Sequence, residues 1–184
     1  MKKSVFILSC SIVAVSLVSC TKSESAWETS YGRKSYIEIG GVKWATTNVG
    51  ATKDNPYGNL YTYEQALSAC PDGWRLPTGD ELELLSLFHS VPVSYDGMNG
   101  RWFSGSTLYK DGVDAVFLPM AGRDMRDGKE QYIGERTGEL GYYWSCSDGR
   151  QNNLVISLRF NGSEVYIDYY DATYYAHSVR CVKD

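Results

Sequence analysis

The run Leu154-Val155-Ile156-Ser157-Leu158-Arg159-Phe160, followed by Asn161-Gly162 and then Glu164-Val165-Tyr166-Ile167, restricts the fold more than any other stretch. Apolar and polar residues alternating at a period of two define a strand with one buried face. The even-numbered residues are expected to face the core, with Ser157 and Arg159 facing out. Asn-Gly between two such runs predicts a two-residue type I′ turn, and therefore an antiparallel hairpin. The C-terminal half reads as β structure around it, with strands at Val116–Leu118, Tyr142–Ser145 and His177–Val182, the last able to pair in the same sheet.

The N-terminal half mixes strand and helix signals. Tyr36–Ile39 and Val42–Ala45 are strand-like runs separated by Gly40-Gly41. Thr62 with Gln65 three residues later is a capping box, predicting a helix to about Ala69 that Pro71-Asp72-Gly73 stops. Thr78 with Glu81 starts a second helix, whose apolar stripe is Leu82, Leu84, Leu85 and Phe88. In Gly73-Trp74-Arg75-Leu76-Pro77-Thr78 the expected roles are structural. Trp74 and Leu76 bury apolar area between the helices, Pro77 sets the backbone ahead of the Thr78 cap, and Arg75 pairs with a carboxylate or carbonyls.

The chain begins with Lys2 and Lys3, an apolar run from Val5 to Val18, then Ser19 and Cys20. That order is a secretory signal, and the run is shorter than the roughly 20 residues of a spanning helix. Leu17-Val18-Ser19-Cys20 resembles a bacterial lipobox, which implies diacylglyceryl transfer to the Cys20 thiol and cleavage before it. Ordinary secretion with cleavage near Ser19 is the alternative. Thr21 after the lipid site favours the outer membrane by the same resemblance. The expected organisation is a signal at 1–19, a lipidated cysteine and flexible tether at 20–35, and one domain at 36–184. The chain carries 18 Lys and Arg against 22 Asp and Glu, and losing Lys2 and Lys3 leaves it more acidic still. Such a domain has no electrostatic footprint for nucleic acid and no polybasic patch for lipid, so membrane contact is through the anchor alone.

Of five cysteines, Cys10 leaves with the signal and Cys20 is lipidated. Cys70, Cys146 and Cys181 remain, in an oxidising compartment. A Cys70–Cys181 bridge is favoured because Cys70 closes the first predicted helix and Cys181 lies in the last strand. It would stabilise by about 4 to 5 kcal/mol on the chain-entropy argument. Cys146 is then expected to be a buried apolar thiol, with a reactive or intermolecular role as the alternative.

Three stretches occur together and in order: Val42-Lys43-Trp44-Ala45-Thr46-Thr47-Asn48-Val49-Gly50, Cys70-Pro71-Asp72-Gly73-Trp74-Arg75-Leu76-Pro77-Thr78, and the closing pair Gly141-Tyr142-Tyr143-Trp144-Ser145 and Ser178-Val179-Arg180-Cys181-Val182. The combination resembles the Fibrobacter succinogenes major paralogous domain, carried by many lipoproteins and surface proteins, over about residues 41 to 184. The resemblance implies an α+β, C-type lectin-like fold: two helices packed on a small mixed or antiparallel sheet, with long ordered loops. Fold class does not fix function.

Chemistry by known routes is not signalled. The calcium and sugar motifs of C-type lectins do not occur, and Asp124, Asp127 and Glu130 around Gly128 lack the alternating ligands of a calcium loop. His89 and His177 have no Cys or His partner at zinc spacing, so neither metal nor cofactor is expected. Formylglycine-generating enzymes share the Arg-Leu-Pro-Thr element, but their reactive cysteines lie a few residues apart, unlike Cys146 and Cys181. No Ser/His/Asp set stands out. An oxidase is therefore the third-ranked function.

What remains is tyrosine. Seven of 15 fall late in the chain, at Tyr142, Tyr143, Tyr166, Tyr169, Tyr170, Tyr174 and Tyr175, among Asn152, Asn153, Ser163, Asp168, Asp171 and Thr173. Tyrosine supplies contact area at low entropy cost and its polar neighbours supply adaptable hydrogen bonds, as in a paratope. Aromatics also favour strands, so plain sheet cover is the competing reading. The leading expectation is a non-catalytic, outer-membrane lipoprotein on the cell surface that recognises an extracellular glycan, peptide or protein. Its ligand-binding candidates are Tyr166, Asp168, Tyr170, Tyr174 and Tyr175, with Trp144 and Arg123 in support. A structural or tip component of a surface or pilus assembly is second.

Overall fold

A computed structural model describes residues 35–106, 114–126, 131–149 and 154–184. The expected signal, Cys20 and the tether up to residue 34 lie outside the described residues, as do Asp127, Gly128, Glu130, Asn152 and Asn153.

β1 (Tyr36–Ile39) and β2 (Val42–Ala45) pair antiparallel across Gly40 and Gly41. Both glycines hold positive φ, 62° and 80°, as a two-residue I′ turn requires. β3 (Leu60–Thr62) runs straight into α1 (Tyr63–Ala66), where Thr62 and Gln65 cap each other reciprocally. This helix is one turn long and stops short of Ala69, because i→i+3 bonds from Ser68 to Gln65 and Ala69 to Ala66 tighten the chain. β4 (Trp74–Arg75) precedes α2 (Gly79–Leu87), opened by the reciprocal Thr78/Glu81 box. Leu82 and Leu85 enter the core, while Leu84 is left at the surface.

β5 (His89–Tyr95) and β6 (Met98–Ser104) make a hairpin around Asp96 and Gly97, both at positive φ. β7 (Ala115–Pro119) pairs with β6 to complete a three-stranded sheet. Pro92 is tolerated because β5 is the outer strand of that sheet. The chain continues through β8 (Arg123–Arg126), β9 (Gln131–Glu135), β10 (Gly141–Asp148), β11 (Leu154–Phe160), β12 (Val165–Ala172), β13 (Tyr175–Ser178) and β14 (Val182–Lys183). A seven-stranded sheet has the order β12-β11-β10-β13-β8-β9, with β3 also paired to β13. A four-stranded sheet has the order β1-β2-β14-β4.

This architecture corrects the expected fold class. The described residues are about half strand and one-tenth helix, arranged in three sheets, rather than two helices on one small sheet. Segments left without structure in the sequence reading, notably 89–95, 98–104, 123–126 and 131–135, are strands. The predicted terminal strand also divides: β13 lies in the seven-stranded sheet and β14 in the four-stranded one.

The β11–β12 hairpin forms, but its turn differs from the type I′ expectation. Phe160 pairs with Val165, so the connection is residues 161–164, and Gly162 does not adopt positive φ. The Asn161 side chain explains the change: its Oδ1 accepts from the backbone N–H of Ser163 (2.7 Å) and Glu164 (2.8 Å). A side chain that caps the following N–H groups offers the backbone another turn.

All three sheets and α2 meet in one core, where Ile37 and Trp44 face Phe103, Leu118, Leu158 and Leu82. A second cluster gathers Trp144, Leu76, Val155 and Val179 around the Cys70–Cys181 disulfide, which forms as expected. Trp74 packs half-buried against this cluster, and Arg75 makes the expected carboxylate pair, with Glu81. Cys146 is a correction. Its thiol is free and exposed, on β10 just past the buried Ser145 and within a register irregularity between Trp144 and Asp148.

Candidate functional site

The register of β10, β11 and β12 lines up two cross-strand rows. Tyr142 lies opposite Arg159, which lies opposite Tyr166; Trp144 lies opposite Ser157, which lies opposite Asp168. Directly opposed residues share a face, so these side chains stand together on the side away from Leu158 and Phe160. β8 contributes Arg123 to the same assembly, and β13 contributes Tyr175 and His177.

Rings and guanidiniums alternate across this face. Arg159 sits over Tyr166 at 5.4 Å and over Tyr142 at 5.0 Å. Arg123 sits over Tyr142 at 5.1 Å and over Tyr175 at 4.1 Å, and the Tyr174 ring lies 4.6 Å from that of Tyr175. Each cation–π contact contributes about 0.5–1 kcal/mol where exposed and more where water is excluded. The outer rings are thus held from behind before any ligand arrives.

Burial divides the sequence candidates. Tyr166, Tyr170 and Tyr174 are 38%, 52% and 46% exposed, three of the six large hydrophobic side chains at the described surface. Tyr175 and Asp168 are half-buried. Asp168 is partly engaged already, since its Oδ1 accepts the Tyr170 N–H at 2.9 Å. Burial raises the Tyr166 and Tyr175 phenols above their ordinary value. Arg123 supports from beneath, as a cation between two rings.

Trp144 is a correction as a contact residue. It is fully buried, its indole N–H donates to the Tyr61 carbonyl at 2.8 Å, and its ring stacks on His177 at 3.9 Å. Two of the late tyrosines belong to the interior as well. Tyr142 and Tyr143 are buried, and the Tyr143 hydroxyl donates to the Pro119 carbonyl. Burial pushes that phenol up to about 12.

Behind the face lies a polar cluster that sequence reading missed. Ser157 Oγ donates to Asp171 Oδ2 at 2.5 Å, and His177 Nδ1 lies 3.4 Å from the same oxygen. All three residues are buried. A bulge brings them together: the β11–β12 register shifts between the Ser157–Asp168 and Val155–Asp171 pairs, so an extra residue returns Asp171 to the face of Asp168. Sequence spacing cannot reveal this, because Asp168 and Asp171 would otherwise point to opposite sides. Burial raises the Asp171 carboxyl to about 6. The order of the three groups matters chemically. In a hydrolytic triad the imidazole stands between hydroxyl and carboxylate. Here the carboxylate stands in the middle, so the imidazole cannot take the serine proton.

Among the described residues, no group of three or more His, Cys, Asp or Glu could hold a metal ion. Two open clefts, of about 570 and 480 Å³, lie near Tyr61 and Gln65 and near Pro92 and Gly138, and neither is lined by Tyr166, Tyr170 or Tyr174.

Fold and site together define a β-rich, disulfide-locked module that presents aromatic side chains on one outer face. Residues 40–183 match the model of the Fibrobacter succinogenes major domain, and the chain belongs to that family. No curated protein and no solved structure matches it, so the lectin-like likeness has no structural neighbour behind it.

Proposed function

We propose that this protein is a lipid-anchored, non-catalytic recognition module, displayed at the outer membrane, whose tyrosine face binds an extracellular glycan, peptide or protein. One observation carries the reading: Tyr166 and Tyr174 are exposed while stacked on a backing of Arg159, Tyr175 and Arg123. Large rigid rings lose little entropy on binding, and fixing them beforehand lowers the cost further. Their faces suit sugar rings or apolar side chains, and the phenol hydroxyls and Asp168 suit polar partners. A non-catalytic role is supported by the order of Ser157, Asp171 and His177. Anchoring rests on the sequence from Lys2 to Cys20.

The test is a glycan and peptide array probed with the wild type and with Tyr170→Ala and Tyr174→Ala. Binding by the wild type that both variants lose supports the reading. Signals that the variants retain, or none for the wild type, remove it.

A role in a surface assembly is the second reading, favoured by the position of β12 as the outer strand of the seven-stranded sheet. An outer strand offers backbone groups for strand addition. Isolation of a stable stoichiometric complex cross-linked through β12 would support that reading over free ligand binding.

A further inference from the structure

Asp171 and His177 are a buried acid and a buried base that do not neutralise each other as an ion pair. The carboxyl accepts from Ser157 Oγ and from the Ala172 N–H at 3.1 Å. His177 Nδ1 approaches to 3.4 Å, yet neither imidazole nitrogen makes a hydrogen bond to a described residue. The imidazole is instead packed between the rings of Trp144 and Tyr142, with Tyr175 stacked at 6.0 Å. The other charged groups facing the pair are Arg159 on β11, Asp168 on β12 and Arg123 on β8. Burial, with the fields of Arg123 and Arg159, holds the imidazole neutral well below its ordinary range. A proton entering this cluster is therefore taken by Asp171.

We propose that Asp171 and His177 form a proton-responsive latch beneath the tyrosine face, holding one proton on the carboxyl in mildly acidic solution and none at neutral pH. Tyr175, which stacks on His177 and feels the charge of Asp171, then lies beside a neutral acid in one state and a buried carboxylate in the other. The inference is independent of whether the face binds a ligand.

The linkage signs give the latch a distinctive signature. Asp171 is raised from about 3.9 in the unfolded chain to about 6 in the folded one. Its stabilising contribution is complete below about 3.9 and lost as pH rises through about 6. His177 is lowered from about 6.5, so its contribution is present above about 6.5 and lost as pH falls below it. Below about pH 6 the folded carboxyl takes up a proton while the unfolded chain takes one on the imidazole, so the two effects have opposite slopes. Each masks the other in the wild-type stability profile.

Single substitutions uncover it. Asp171→Asn keeps an acceptor for Ser157 and leaves only the histidine effect. Relative to wild type, its folding equilibrium constant should fall about tenfold per pH unit as pH drops from about 6 towards 4, the window in which the missing carboxyl stabilises the wild type. His177→Phe keeps a ring between Trp144 and Tyr142 and leaves only the carboxyl effect. Its constant relative to wild type should rise about tenfold per unit as pH falls below about 6.5, because the wild type alone buries an imidazole that its unfolded form protonates. Opposite slopes support the proposal, and two profiles parallel to the wild type overturn it. Carbon-13 NMR of the Asp171 carboxyl in the wild type decides the matter even if a variant fails to fold. A midpoint near 6, shared by the Tyr175 ring signals, is expected; a midpoint near the ordinary value of about 3.9 overturns the latch.

Discussion

Arg180 donates from both Nε and Nη2 to a single acceptor, Oδ1 of Asn48, at 3.0 and 2.8 Å. Its remaining donors reach the carbonyls of Ala45 at 2.8 Å and Phe117 at 3.1 Å. Asn48 in turn donates to the Tyr57 carbonyl and the Tyr143 hydroxyl. One buried cation thus joins β2, β7 and β10, a strand from each sheet, with no carboxylate among the described residues. Burial lowers its guanidinium to about 10, still charged at neutral pH.

Asn48→Ala removes the shared acceptor and leaves Arg180 Nε without a partner in the interior. An orphaned charged donor costs about 3 kcal/mol. Urea unfolding should show that loss. Arg180→Lys should lose a similar amount, because an ammonium cannot span these three acceptors with the four hydrogen bonds of a guanidinium fork. A wild-type midpoint for both variants would refute the clamp.

The Cys70–Cys181 bridge spans a sequence separation of 111 residues. Constraint of so long an unfolded loop stabilises by about 4 to 5 kcal/mol. Reduction should therefore lower the unfolding midpoint strongly. Among the described cysteines, only exposed Cys146 should take a thiol label without denaturant. A labelled Cys70 in the unreduced protein would contradict this pairing.

Glu81 accepts from both Arg75 Nη1 and Nη2 at 2.8 Å and from the Thr78 N–H at 2.7 Å. These contacts, Arg75 foremost, hold its carboxyl below the usual carboxylate range. Stability from this group is present above about pH 4.3 and lost as pH falls through the depressed folded value. Glu81→Gln keeps the capping geometry but not the charge. It should be less stable at neutral pH by about 1 kcal/mol or less, since Arg75 is well solvated. The gap should close in acid, and a constant gap down to pH 2 would count against the ion pair.

The buried and exposed aromatics of the candidate set should part company in stability. Trp144→Ala empties a buried site and should cost about 3–5 kcal/mol. Tyr170→Ala, at an exposed position, should stay within about 0.5 kcal/mol of wild type. Thermal unfolding separates the two. A large loss at Tyr170 would mean that its ring packs rather than projects.

Local signals in the sequence were the most legible. Thr62/Gln65 and Thr78/Glu81 each specify a helix start through one reciprocal pair of bonds, and both starts occur. Alternation along Leu154–Phe160 correctly sends Leu158 and Phe160 into the core. It does not tell that Ser157 is wholly buried on the other side, because a second layer around Trp144 covers that face. The Asp96-Gly97 turn also has a local signal, an Asp-Gly pair at positive φ between two strands. The late tyrosines look alike by composition. Pairing decides their fates: Tyr142 and Tyr143 lie on inner β10, whereas Tyr166 and Tyr170 lie on outer β12. The Ser157–Asp171–His177 cluster depends on a bulge and on a strand that is distant in sequence, and neither has a local signal.

Hydroxyl-radical footprinting of the protein, with and without a ligand found on the arrays, tests the recognition role most directly. Protection should concentrate on Tyr166, Tyr170 and Tyr174, while Leu67 and Leu87, exposed elsewhere, stay as reactive as before. Protection at the leucines with the three tyrosines unchanged would contradict the account.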